Sequence, residues 1–254
     1  MIGMTGVVLR HELGRLARSA QSWVVAAGFA GLAGYLLLSQ LERWLASQDA
    51  IRLQDHAPGL AGFLGVNLLA PLAVVIGLLA PLYAMRAFAD EFRERTWSLW
   101  QSSPVSLMAL VGGKLAAVVI AMLLPIGIAI ALVLMLRPFT PLDLGVVAAS
   151  AAGLLLCAAA TASAGLYCSA LVRQPLAAAA GAIALVLGLW LLGSLGSTAP
   201  WAQALAQLSP GQHLAGFFQG YPRSGDALYF VLFTATFYLL TVIRLDALRH
   251  ADEA

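Results

Sequence analysis

More than half of this 254-residue chain lies in six apolar runs, each long enough to cross a bilayer. A bilayer core of about 30 Å takes about 20 helical residues. Backbone in hydrocarbon must satisfy its own hydrogen bonds, which leaves helices or closed barrels. The runs predict an all-α integral membrane protein with transmembrane helices at about residues 22–41, 63–85, 106–136, 144–172, 175–196 and 227–243, in one domain over 1–254. Charged residues make up only 10% of the chain, where a soluble domain has about a quarter. The net charge of +2 is too small to point to nucleic acid. Cys157 and Cys168 share one run, about 16 Å apart on a helix. That is beyond disulfide reach, so they say nothing about redox compartment.

The segments between the runs give the layout. Residues 7–19 place Leu9, Leu13 and Leu16 on one helical face, with Arg10, Glu12, Arg15 and Arg18 away from it. This is the pattern of an amphipathic helix lying in the headgroup layer; a short charged lead-in is the plainer alternative. The first run reads as an uncleaved anchor rather than a signal peptide, because its lead-in is long and no small-x-small cleavage site precedes the polar stretch. Pro71 and Pro81 predict kinks in the second run. The fourth run is rich in small residues, which lets helices approach closely. Residues 197–226 are too polar and too broken by proline to span, yet carry Trp201, Phe217, Phe218 and Tyr221. Two short helices dipping into the outer leaflet fit that mixture; an ordinary outer loop is the alternative. Basic residues set the orientation. With a cytoplasmic N-terminus, nine arginines fall inside and only Arg43, Arg52, Arg137 and Arg223 outside, with the sole lysine, Lys114, near the inner face. Both termini are therefore expected in the cytoplasm.

One connection stands apart. Residues 86–104 place Arg86, Asp90, Glu91, Arg93, Glu94 and Arg95 within ten positions, between two long apolar runs. Such a segment belongs to the aqueous side, where a charged helix on a short tether can dock a partner and push on the membrane part. Chemistry of the chain's own is scarce. No run carries an ionisable residue at its middle, which weakens ion- or proton-coupled transport. His11, His56, His213 and His250 have no metal-ligand spacing. Hydroxyls within the runs, such as Thr161 and Ser163, read as donors to backbone. Gly112-Gly113-Lys114 ends like a phosphate loop, but that loop needs glycine at 108 and a hydroxyl at 115, where Met108 and Leu115 stand. No cofactor or metal is expected on this chain, and no catalytic residue. A self-contained carrier or channel is the competing reading.

The stretch MRAFADEFRERTWSLWQSSPVSLMALVGGKL resembles the first cytoplasmic loop of type-2 ABC transporter permeases, closest to the branch named for gliding motility. The matching positions are Met85, Arg86, Phe88, Ala89, Glu91, Thr96, Pro104, Val105, Ser106, Gly113 and Lys114. The lead-in LRHELGRLARS, the turn GLYCSALVRQPLAA and the ending from Leu208 to His250 resemble the family in the same order, so the likeness covers essentially the whole chain. It departs at Arg95, where the family usually has glycine, and at Trp97 and Trp100, where leucines are common. The tryptophans, three apart, suit either a groove on an ATPase or the membrane interface. The resemblance implies the type-2 exporter permease fold: six spans, an interfacial helix, a cytoplasmic coupling helix and short re-entrant helices before the last span. It implies a non-catalytic subunit in a bacterial inner membrane, paired with a second permease chain, the same or related. It also implies a dimer of ABC ATPases holding ATP and Mg²⁺, and an auxiliary periplasmic subunit. The coupling helix would lie within residues 88–99, with Arg86, Phe88, Asp90, Glu91, Arg93, Glu94, Thr96, Trp97, Leu99 and Trp100 contacting the ATPase. Closure of the ATPases would then move spans one, two and five, for export or for force transmission. The cargo is not legible.

Overall fold

The computed structural model describes residues 2–47, 59–97, 106–194 and 200–252, and among these every regular element is helical. An N-terminal helix α1 (Ile2–Arg18) leads into α2 (Ala20–Ala46). The second crossing is assembled from α3 (Leu60–Leu64), a π-turn (Gly65–Leu69) and α4 (Ala70–Ala84), followed after one residue by α5 (Arg86–Arg93). Then come α6 (Leu107–Leu134), α7 (Leu144–Leu171) and α8 (Pro175–Leu192). Two short helices, α9 (Pro200–Ala206) and α10 (Pro210–Gln219), precede the last, α11 (Ser224–Asp252). Among the described residues, six helical stretches are long and apolar enough to cross a membrane.

Local chemistry explains the ends. Ser106 caps α6 by accepting from the Ala109 amide, and Asp143 caps α7 by accepting from Gly145 and Val146. Proline opens α8 and α10, where its missing N–H costs nothing. Two helices end in the same way, with a left-handed residue followed by a long closing bond. At α10 the residue is Gly220 (φ 86°), and the Tyr221 amide donates to the Gly216 carbonyl. At α5 it is Arg95 (φ 58°), and the Thr96 amide donates to Glu91. This closure favours glycine at the left-handed position. The arginine that departs from the family pattern therefore stands at a backbone position that glycine would fill without strain.

The helix α7 is the hub, packing against α4, α5, α6, α8, α10 and α11. Its small residues make this possible. A Cβ added at Gly165 would meet Pro81 and Ala84 at 2.8–2.9 Å, and one at Gly153 would meet the Phe217 side chain at 2.8 Å. Its hydroxyls turn to backbone: Thr161 to Cys157, Ser163 to Ala160, Ser169 to Met85. Cys157 and Cys168 are both free thiols.

Several boundaries differ from expectation. Helix ends at Ala84 and resumes at Arg86 after Met85, so the helical stretch Leu60–Arg93, 34 residues, carries the second run directly into the charged connection. The Ser169 hydroxyl bridges the interruption, accepting from the Phe88 and Ala89 amides while donating to the Met85 carbonyl. The bend expected at Pro71 is taken up as a π-turn just before it, with the Ala70 amide donating to Gly65. Pro71 has no N–H to offer an upstream carbonyl, and Gly65 admits the α10 backbone: an added Cβ would overlap the Phe218 carbonyl oxygen. The last helix does not stop at Ile243, because Leu245 and Leu248 continue its apolar stripe into the core. From residue 200 to 226 the described chain holds the two short helices α9 and α10, and Leu214, Phe217 and Phe218 of the second are buried.

Candidate functional site

The charged connection, the N-terminal helix and the start of α6 converge on one side chain. Lys114 lies about 10 Å along α6 from its first residue and is 1% exposed. An unpaired ammonium at that burial would cost several kcal/mol. It is paired instead with two carboxylates brought by two other helices. Its Nζ donates to Glu12 Oε1 of α1 at 2.7 Å and to Glu91 Oε1 of α5 at 2.7 Å. A third bond of 2.7 Å goes to the Ala87 carbonyl, so three short bonds match the three ammonium protons. The Phe88 ring lies 5.0 Å from Nζ, close enough for a cation–π contact. Glu12 Oε2 in turn takes Arg15 at 2.8 Å. Arg15, Glu12, Lys114 and Glu91 thus sum to zero charge, which is what a buried network requires.

Packing delivers these groups. Gly113, the residue before Lys114, faces α1; a Cβ there would come within 2.9 Å of Val8 and 3.1 Å of the Thr5 carbonyl. Val8 and Glu12 are one helical turn apart and both buried, so α1 turns that face onto α6. Gly112 faces α11 instead, near the Tyr238 hydroxyl, which donates to the Met108 carbonyl. The Gly-Gly-Lys sequence, useless for phosphate, is a helix crossing with an ionic junction beside it.

Two expectations need correction. Glu12 was expected away from the buried face, with Arg10, Arg15 and Arg18; it is 5% exposed and points into the junction. The face that α1 turns to α6 carries Val8 and Glu12, so Glu12 leaves the aqueous setting expected for the charged residues. The residues expected to face a partner also divide. Phe88 is fully buried and Trp97 is 7% exposed, its ring edge-on to Phe92 at 5.4 Å. Both belong to the chain's own core rather than to a surface that a groove or a bilayer could meet. Glu91 is taken by Lys114. Arg86 is exposed, and Asp90 is half-buried and 3.1 Å from Arg93. Arg93 and Glu94 lie at the exposed end of α5, with side chains 58% and 61% exposed and 3.5 Å apart. Thr96 closes α5, and Leu99 and Trp100 lie outside the described residues.

Sequence reasoning missed the junction itself. One signal was available: the only lysine of the chain sits inside an apolar run, and such a residue needs a carboxylate partner. Which carboxylates answer it was not readable, since Glu12 is 102 positions away and Glu91 is 23. On the opposite side, His213 touches Asp226 at 2.8 Å and the Gln207 carbonyl at 2.9 Å, and stacks on Tyr229. That pairing ties α10 to α11; the histidine is structural rather than a ligand. Among the described residues no group of His, Cys, Asp and Glu could hold a metal.

The geometry is that of a multi-helix membrane protein whose charged connection is wired to an N-terminal helix and to a span. None of the curated proteins compared with the chain matches it. The family model described as ABC-2 family transporter protein matches residues 7–245.

Proposed function

The chain belongs to the ABC-2 transporter family, and from that premise we propose that it is the permease subunit that couples a separate ATPase to export, or to force transmission, across the membrane. In this reading α5 and the turn after it lie in the cytoplasm, as do both termini, and the membrane is a bacterial inner membrane. The ATPase supplies ATP, Mg²⁺ and hydrolysis. Two permease chains, identical or related, complete the pore. An outer auxiliary subunit and the gliding-motility branch belong to the same proposal.

One observation carries it: Lys114 bonds α1, α5 and α6 together at 2.7 Å each way. A push on the exposed end of α5 cannot stay local. It must drag the N-terminal helix and the third crossing, because separating the buried ammonium from its carboxylates is expensive. The exposed end, Arg93 and Glu94, is where a docking partner finds unburied charge of both signs.

The test is co-expression with the cognate ATPase, followed by co-purification and ATP turnover in proteoliposomes. Reversing Arg93 or Glu94 singly should cut permease-stimulated turnover about tenfold, the effect of roughly 1.4 kcal/mol. Full stimulation in both variants would remove α5 as the docking element. Solute movement by the chain without any ATPase would remove the coupling proposal itself.

A further inference from the structure

Beside α1 and the junction, two clefts adjoin. The first, about 100 Å³, is lined by Arg15, Ser19, Arg86 and Asp90. The second, about 220 Å³, is lined by Leu13, Trp23, Ile120, Ala121 and Leu124. They share Leu16, Ser22 and Tyr83. There the Tyr83 hydroxyl donates to the Ser22 carbonyl, tying α4 to α2. The result is one slot with a polar end and a larger apolar end.

The charges at the polar end do not cancel. Arg15 is matched by Glu12 at 2.8 Å, and Asp90 by Arg93 at 3.1 Å. Arg86 is exposed and, among the described residues, forms no ion pair. The lining itself thus carries Arg15 and Arg86 against the single carboxylate of Asp90, with Ser19 and Ser22 beside them. At the apolar end the indole N–H of Trp23 is used by the Ala17 carbonyl at 2.9 Å. Tryptophan with its N–H satisfied and its ring on an apolar cleft is characteristic of the membrane interface. A small free anion would leave the apolar end empty. A lipid with a neutral head would leave Arg86 unmatched. The combination asks for an anionic head joined to hydrocarbon, presented from a bilayer.

We propose that this slot binds one anionic phospholipid from the leaflet in which α1 lies, its phosphate against Arg86 and the serine hydroxyls and part of one acyl chain against Ile120, Ala121 and Leu124. The bound head touches α5 at Arg86, α2 at Ser22, and Ser19 between α1 and α2. The proposal does not depend on the ATPase reading, and its test needs no ATPase.

The purified full chain in nanodiscs of equal phosphatidylglycerol and phosphatidylcholine, with the same acyl chains, is released and weighed by native mass spectrometry. Phosphatidylglycerol should be retained about fivefold over phosphatidylcholine, the share of one arginine at an anionic surface. Arg86→Gln should abolish the preference, while Arg137→Gln, on a remote turn, should keep it. Ala121→Phe, which fills the apolar end, should lower retention of both lipids. Arg86 is exposed, so its variant stays decisive if Ala121→Phe fails to fold. Equal retention of the two lipids, an unchanged preference in Arg86→Gln, or full retention in a folded Ala121→Phe would overturn the proposal. Displacement of the lipid by millimolar glycerol phosphate would also overturn it, by showing a site for the head alone.

Discussion

Replacing Lys114 by methionine removes the ammonium and keeps most of the side chain's length and apolar bulk. The carboxylates of Glu12 and Glu91 are then left with side chains 7% and 12% exposed and no shared cation. Three charge-assisted bonds at about 1.5–3 kcal/mol each would suggest a loss of roughly 5–9 kcal/mol. That sum ignores the ammonium's own desolvation, which the substitution relieves. Measured breakages of buried pairs come to about 3–5 kcal/mol, and that is the expected loss here. The triple variant Glu12→Gln, Lys114→Met, Glu91→Gln removes the three buried charges, leaving only Arg15, whose side chain is 39% exposed and can be solvated, and should recover most of it, since neutral replacement of a buried network is often tolerated. Unfolding by dodecyl sulfate in mixed micelles, followed by the fluorescence of the chain's six tryptophans, gives both numbers. A single variant within about 1 kcal/mol of wild type would refute the reasoning, as would a triple variant no more stable than the single. In the coupled complex the triple variant should keep ATPase binding and lose stimulation, which separates the junction's role from docking.

Arg95→Gly should stabilise the turn after α5 by about 0.5–1 kcal/mol, because the residue sits at φ 58° and only glycine adopts that region freely; a lower midpoint in the same unfolding titration would count against it. Two glycines on crossing helices should respond oppositely to alanine. Gly127 has nothing within 4 Å of its added Cβ, so Gly127→Ala should gain up to about 1 kcal/mol of helix propensity. Gly65→Ala must push the Phe218 backbone away and should lose about 1–3 kcal/mol, with faster hydrogen exchange in α10; similar midpoints for the two variants would contradict the close approach.

The crossings were legible because hydrophobic length is a local property. A run of apolar residues cannot be wet, and its ends are marked by residues such as Ser106, Asp143 and Pro175 that act within one turn. The charged connection at 86–104 was legible for the converse reason. Arg95 was visible as an oddity, and only its backbone angle gave the oddity a meaning. Burial within the connection was not readable. Phe88 and Trp97 look like surface residues of a charged helix until α7 and Phe92 are placed beside them. Glu12 looked like one more headgroup charge until Gly113 let α1 come down onto α6.

What the sequence alone determined, then, is the number of long apolar helices, the charged segment between them and the small-residue helix able to serve as a hub. What the tertiary structure decided is which charge meets which: Glu12 and Lys114 are 102 positions apart, and their contact depends on how three helix faces are rotated. A helix repeats every 3.6 residues whatever its neighbours, so periodicity names its faces. Which face meets which neighbour is fixed only by packing. In hydrocarbon that choice is enforced by the cost of leaving one ammonium unpaired.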